Sequence, residues 1–264
     1  MNNEEEKHMV ILEAHQGVAT ECPGNTYAAF NRAAEQGYPM IELDPNYTKD
    51  GKLVVLHDDT INRTARDEFG NKIEDPINIH EITYEEACKY DYGIRFAPEY
   101  KGETLPLLEK VFALAEEHHI ALKIDNKYEA FPDDIKDKLY AMIKETKTEI
   151  GLTCGKMDSI RKVMEINPDI PIHYDGLVEE EILKELSSIT KKLTVWIPFQ
   201  CKRTSWATVP FASQELCALI KKYAALGVWI ISNEEDYNEV CRQFSPDYVE
   251  TDGAIKPEKQ EICE

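Results

Sequence analysis

Met40-Ile41-Glu42-Leu43-Asp44, then the turn Lys49-Asp50-Gly51, then Leu53-Val54-Val55-Leu56-His57-Asp58: the fold is read outward from this stretch. Along an extended strand the side chains alternate, so Glu42 and Asp44 project together while Ile41 and Leu43 face the other way. Two carboxylates on one side of an apolar strand are costly to bury unless a cation compensates them. The turn reverses the chain, and a hairpin with its tip near Asp50-Gly51 returns His57 to the level of Asp44. A pair of metal-type ligands and a proton-transfer group are thereby delivered together. Taken alone, the same residues also describe a solvated edge strand and a surface turn.

A second histidine, in Glu13-Ala14-His15-Gln16-Gly17, closes another apolar run, Val10 to Ala14, which reads as a first buried parallel strand. Thr26 to Gln36, with Tyr27, Phe30 and Ala33 at helical spacing and Gly37 behind them, reads as the first helix. Met40 to Asp44 is the second strand. After it come the hairpin and a long excursion punctuated by Gly70, Pro76, Gly93 and Pro98, too long to be a structureless loop. From Leu107 the alternation is regular. Helices are expected over 107–118, 133–147, 157–166, 179–190, 212–225 and 235–244, and strands over 120–125, 150–153, 170–174, 193–198, 228–232 and 247–251. The fold class is therefore α/β, a (β/α)8 TIM barrel with right-handed crossovers. One domain spans residues 1–264, and a hairpin-containing insertion after strand two, residues 45–106, carries His57.

The length of 264 residues suits one such barrel, and 42% apolar residues supply its core. A net charge of −20 argues against nucleic acid or an anionic membrane as partner, since both call for a positive footprint. No apolar run is long enough to span a membrane. The acidic N-terminus, Glu4-Glu5-Glu6, is unlike a secretory signal, so a cytoplasmic protein is expected. The seven cysteines are scattered, form no Cys-x-x-Cys pair, and are expected to be reduced. The charged tail from Lys256 to Glu264 is expected to fray.

His15-Gln16-Gly17, Pro23-Gly24-Asn25-Thr26, Ile41-Glu42-Leu43-Asp44, Thr48-Lys49-Asp50-Gly51, Val54-Val55-Leu56-His57-Asp58, Arg63-Thr64 and Asp125-Asn126-Lys127 follow one another in an order and spacing that resemble the glycerophosphodiester phosphodiesterases. The C-terminal third matches that pattern only weakly. The resemblance implies cleavage of a glycerophosphodiester into glycerol 3-phosphate and an alcohol. Three departures stand out: Gln16 for the motif Arg, Gly24 for the motif Glu, and Asp125 for a third acidic ligand that is usually Glu. Losing one positive and one negative group together suggests that the two normally pair.

In a barrel of this kind the site lies at the C-terminal ends of the strands, where these residues fall. Glu42, Asp44 and Asp125 are expected to hold one divalent cation, Mg²⁺ or Ca²⁺, since three carboxylates suit a hard ion that keeps several waters. His15 and His57 are expected to be general acid and base, in an order the sequence leaves open. The nucleophile is either water or the substrate's own 2-hydroxyl. Gln16, Lys127, Asn25 and Trp196 are expected to touch substrate or phosphate. A shifted substrate, a sugar or lysolipid phosphodiester, and a barrel that binds phosphate or metal without turnover are the alternatives. By strand parity Glu13 and Lys123 are expected to meet inside the barrel. His80, His118, His119 and His173 are read as structural, and Thr251-Asp252 as a cap on the last turn.

Overall fold

The structure, a computed structural model, describes residues 9–202 and 204–257. The tail from 258 onward, including Cys263 and most of the segment expected to fray, lies outside the described residues. The apolar run before His15 forms β1 (Ile11–His15), and the acidic stretch forms β2 (Met40–Leu43). Between them α1 (Tyr27–Gln36) starts on Thr26, whose hydroxyl accepts from the Ala29 amide at 3.3 Å, a side-chain cap for one of the orphan donors of the first turn. The Lys49-Asp50-Gly51 turn joins β3 (Pro45–Tyr47) to β4 (Leu53–Val55) as an antiparallel hairpin in which Pro45 faces Val55. The Leu56 amide donates to the Asp44 carbonyl at 2.9 Å, so His57 does return beside Asp44.

A four-residue helix, α2 (Tyr84–Ala87), and two 3₁₀ turns order the rest of the excursion. Regular alternation follows: α3 (Leu108–His118), β5 (Ala121–Ile124), α4 (Asp133–Glu145), β6 (Ile150–Cys154), α5 (Met157–Ile166), β7 (Ile172–Tyr174), α6 (Glu180–Ile189), β8 (Leu193–Pro198), α7 (Gln214–Ile220), β9 (Ala225–Ile231), α8 (Glu234–Phe244) and β10 (Tyr248–Thr251). Eight of the strands close into a parallel barrel in the order β1-β10-β9-β8-β7-β6-β5-β2. The fold is a (β/α)8 barrel whose second strand is followed by the excursion.

Two details differ from the sequence reading. The helix expected over 212–225 stops at Ile220, and the strand expected to begin at 228 begins at Ala225. Gly227, which a linear reading places before the strand, sits inside it opposite Trp196. A Cβ there would lie 2.4 Å from the indole, so the missing side chain is what lets the Trp196 ring lie flat against β9. Thr251 caps the last turn as expected, its hydroxyl accepting from the Ile255 amide at 3.4 Å. Asp252 accepts from the Ser232 hydroxyl at 2.9 Å, tying the ends of β9 and β10 together.

Burial is divided between two apolar clusters. The large one fills the space between barrel and helices, with Ile41, Leu122, Leu152, Val195 and Val228 on the strands. The smaller one, Val54, Leu56, Ile61, Ala65, Ile79, Ala87, Tyr92, Leu105 and Leu107, belongs to the excursion. His80 stacks on Tyr47 at 4.0 Å and bonds Asn46 at 2.7 Å, which makes it a structural tie between the excursion and β3. His118 and His119 end α3, His119 with φ 55, in the positions where helix carbonyls favour a donor.

Candidate active site

Gln16 leaves β1 with φ 56, and Gly17 follows with φ 78. A Cβ on Gly17 would stand 2.7 Å from the Ala29 backbone, so only glycine lets the loop after β1 press onto α1. This turn sends the Gln16 amide to Glu42, whose carbonyl and Oε2 both accept it at 3.0 and 3.1 Å. The Gln16 side chain donates to Asp44 Oδ2 at 2.7 Å, and Asn25 donates to the same oxygen at 2.7 Å. Both amides, expected at the substrate, are thus engaged in orienting a carboxylate. Residue 24 adjoins them: a Cβ on Gly24 would lie 3.0 Å from Gln16 Oε1, so positions 16 and 24 are within pairing reach.

Glu42, Asp44, Asp125, His15, His57, Gln16, Lys127 and Trp196 all line one cavity of about 670 Å³ at the C-terminal ends of the strands. Asn25 stands behind it, on Asp44. His15 Nε2 lies 3.9 Å from Glu42 Oε2. His57 arrives from the excursion with its Nδ1 2.6 Å from Asp58, and Arg63 grips the same Asp58 carboxylate through Nε and Nη2. Asp58 is held below its usual carboxylate range by the Arg63 and His57 hydrogen bonds, although partial burial works the other way. Asp125 follows β5, opens a 3₁₀ turn, and accepts the Lys127 amide at 3.3 Å.

Burial holds the Glu42 carboxyl well above its ordinary value, with Asp44 adding repulsion. Burial, then Asp44 and Asp175, push Asp125 up to about 7. The cavity therefore gathers carboxylates whose charge the protein leaves under-compensated, because Lys123 is committed below them. The donors are oxygens throughout, which suits a hard divalent ion. Among the described residues no three such side chains already close on a single point as a finished cage. Carboxylates on a shared wall suit an ion that retains much of its water.

Beneath the cavity, Lys123 Nζ lies 2.5 Å from Glu13 Oε1 and 2.5 Å from Glu250 Oε2, all three side chains being buried. The Glu13 to Lys123 contact was legible by parity; Glu250 was not identified, although its place in Tyr248-Val249-Glu250-Thr251 repeats that of Glu13 in β1, with which it is in register. Trp196 covers Lys123 at 3.7 Å and donates its indole N–H to His173 Nδ1 at 2.9 Å. Burial, reinforced by Lys123, lowers His173 to about 3 and keeps it neutral. Trp196 is thus anchored from below while its edge reaches the cavity. Asp175 and the stacked pair Trp206 and Trp229, 5.5 Å between rings, complete the wall; Trp206 was a candidate for such a lining from its sequence position, whereas Asp175 and Trp229 were not read from the sequence. Asp175 stands directly after its strand as Asp125 does, and that position was the available signal.

The model of the glycerophosphoryl diester phosphodiesterase family matches residues 15–174. The chain belongs to this family. Its members are phosphoric diester hydrolases, and the matched span contains both histidines and all three expected metal ligands. A glycerophosphodiester phosphodiesterase from Caldanaerobacter subterraneus subsp. tengcongensis is 38% identical over 176 residues, 64% of this chain and 69% of that protein. Lysophospholipase D GDPD1 of Mus musculus is 31% identical over 171 residues, 61% of this chain and 50% of that protein. Among solved structures, an Oleispira antarctica phosphodiesterase in complex with the product sn-glycerol-3-phosphate superposes with a TM-score of 0.73 at 19% identity, covering 92% of this chain and 93% of the other, a likeness of fold. Trp196, Trp206, Trp229 and Glu250 lie beyond the matched span.

Proposed function

We propose that the protein hydrolyses glycerophosphodiesters to glycerol 3-phosphate and an alcohol, with one divalent cation, Mg²⁺ or Ca²⁺, as cofactor. The observation that carries this reading is that His15 from the barrel, His57 from the excursion and three carboxylates line one cavity. A phosphodiester is anionic and repels a nucleophile, so its cleavage calls for charge neutralisation and for proton transfer at both the attacking and the leaving oxygen. Held by Glu42, Asp44 and Asp125, the cation would supply the neutralisation. Gln16 and Asn25 keep Asp44 turned toward that task. Lys127 adds a second positive group for the phosphate.

The two imidazoles divide the proton transfers between them. His57 has its Nδ1 engaged by Asp58, which leaves Nε2 to exchange a proton with the substrate. His15 stands against Glu42 at the barrel end of the same space. The attacking oxygen is that of water or of the substrate's 2-hydroxyl, and trapping a cyclic phosphate in a rapid quench separates the two.

The direct test is release of glycerol 3-phosphate from glycerophosphocholine, glycerophosphoethanolamine and glycerophosphoglycerol, with Mg²⁺, Ca²⁺ or chelator. Turnover that chelator abolishes and either ion restores is expected. Turnover untouched by chelator would remove the cation, and no turnover of any diester would remove the reaction. A lysolipid diester is a second reading, favoured by the Trp206 and Trp229 shelf at the cavity wall, Trp206 being 65% exposed. Adding lysophosphatidylcholine, read by release of choline because its other product is the acylated glycerol 3-phosphate, decides it.

A further inference from the structure

A second cavity of about 290 Å³ lies between the loop after β1 and the excursion, and it shares Gln16, His57 and Arg63 with the main one. The two spaces therefore meet at His57. Their linings differ sharply in charge. The main cavity carries five carboxylates, Glu42, Asp44, Asp125, Asp175 and Glu250, against Lys123, Lys127 and the shared Arg63; the second carries Arg95 with the shared Arg63 and no Asp or Glu. In a chain with 50 acidic and 30 basic residues, a pocket free of carboxylates beside the reacting centre is a marked local reversal.

The two arginines are not equivalent. Arg63 is bidentate on Asp58, so its charge is largely answered. Arg95 makes no hydrogen bond or ion pair among the described residues, and it lies near enough to Arg66 to depress that guanidinium further than burial alone. Tyr92 and Phe96 add apolar wall. Gly24 contributes no side chain, and Gln16 turns its amide to Asp44, so neither a carboxylate nor a cation from the loop closes the pocket.

We propose that this pocket receives the alcohol half of the substrate and selects alcohols bearing an anionic group, a carboxylate or a phosphate monoester, over cationic ones such as choline. The inference rests on the phosphodiesterase reading above. A phosphodiester centred at His57 has two ester arms. The glycerol arm, with hydroxyls to donate, suits the carboxylate-lined side. An anionic arm is repelled there and finds in Arg95 a guanidinium able to make a charge-assisted hydrogen bond.

The test is a series of glycerophosphodiesters of matched length. Their alcohols are 3-hydroxypropanoate, ethylene glycol monophosphate, 1-propanol and ethanolamine, and each is assayed with saturating cation for kcat/KM by release of glycerol 3-phosphate. One or both anionic diesters are expected to exceed the ethanolamine diester by about tenfold or more, the scale of one hydrogen bond to a charged group. Whichever of the two leads identifies the group preferred. In Arg95→Gln the ratio of anionic to propanol diester falls toward one, and in Arg95→Lys most of it returns. A flat series in the wild type, a preference for ethanolamine, or a ratio unmoved by Arg95→Gln overturns the pocket assignment while leaving the phosphodiesterase reading intact. Absence of turnover on all four removes both.

Discussion

His15 and His57 reach the cavity from different parts of the chain, one at the tip of a barrel strand and one at the foot of a hairpin. A positioned acid or base contributes about 10²–10⁴-fold, so His57→Asn is expected to lower kcat by that range with little change in KM. Steady-state kinetics on glycerophosphoethanolamine check it. At positions 16 and 24 the expectation concerns binding instead. Gln16→Arg combined with Gly24→Glu places a fork beside the phosphate and a carboxylate on a side chain whose Cβ stands 3.0 Å from the present Gln16 Oε1. KM is expected to fall by about tenfold, the value of a charged rather than neutral hydrogen bond; an unchanged KM would mean the pair does not touch phosphate. Glu250 gives a third residue-level expectation. Lys123 holds it at about 2 against the burial that would raise it, the ordinary value being 4.5. A depressed folded pKa stabilises the fold above the unfolded value and loses that contribution as pH falls from about 4.5 toward 2. Glu13, raised by burial, works in the opposite direction. Glu250→Gln should therefore flatten the acid limb of stability, read by urea unfolding at pH 5 and pH 3.

At the level of elements, the excursion has its own apolar cluster, and His57 depends on it. Ile79, fully buried there, would leave a cavity on truncation to Ala, costing about 2–5 kcal/mol where the site cannot collapse. The expected outcome is a local one: kcat falls and amide exchange rises in 45–106 while exchange in the barrel strands stays slow. Faster exchange throughout would mean that the two clusters unfold as one. The barrel elements were legible because apolar strands and amphipathic helices announce themselves over five to fifteen residues by period alone. The same rule placed Glu13 on Lys123. It could not place Gly227 within β9, since that glycine is explained by the Trp196 ring of the neighbouring strand. Nor could it find the Arg63 and Arg95 pocket, which exists only because the excursion is seated against the loop after β1. Gln16 and Asn25 were recognised as site residues, but their shared attachment to Asp44 depends on two left-handed backbone positions, φ 56 and φ 59, that no pattern of hydrophobicity records.

For the molecule as a whole, the governing quantity is charge. A net −20 faces an anionic substrate, so the field opposes encounter before any contact is made. With cation saturating, kcat/KM for a glycerophosphodiester is expected to rise between about 10 and 150 mM salt, as the screening length shrinks from about 30 to 8 Å. A decrease over that range would indicate that the local positive groups outweigh the global field. The division into two clusters bears on something else. One imidazole is rooted in the barrel and the other in an appendage with a hydrophobic centre of its own, so the spacing of the two proposed proton-transfer groups is set by how two separately built bodies are seated on each other. Chemistry in this enzyme can be silenced by a small slip at that seam, with every strand of the closed sheet still in register.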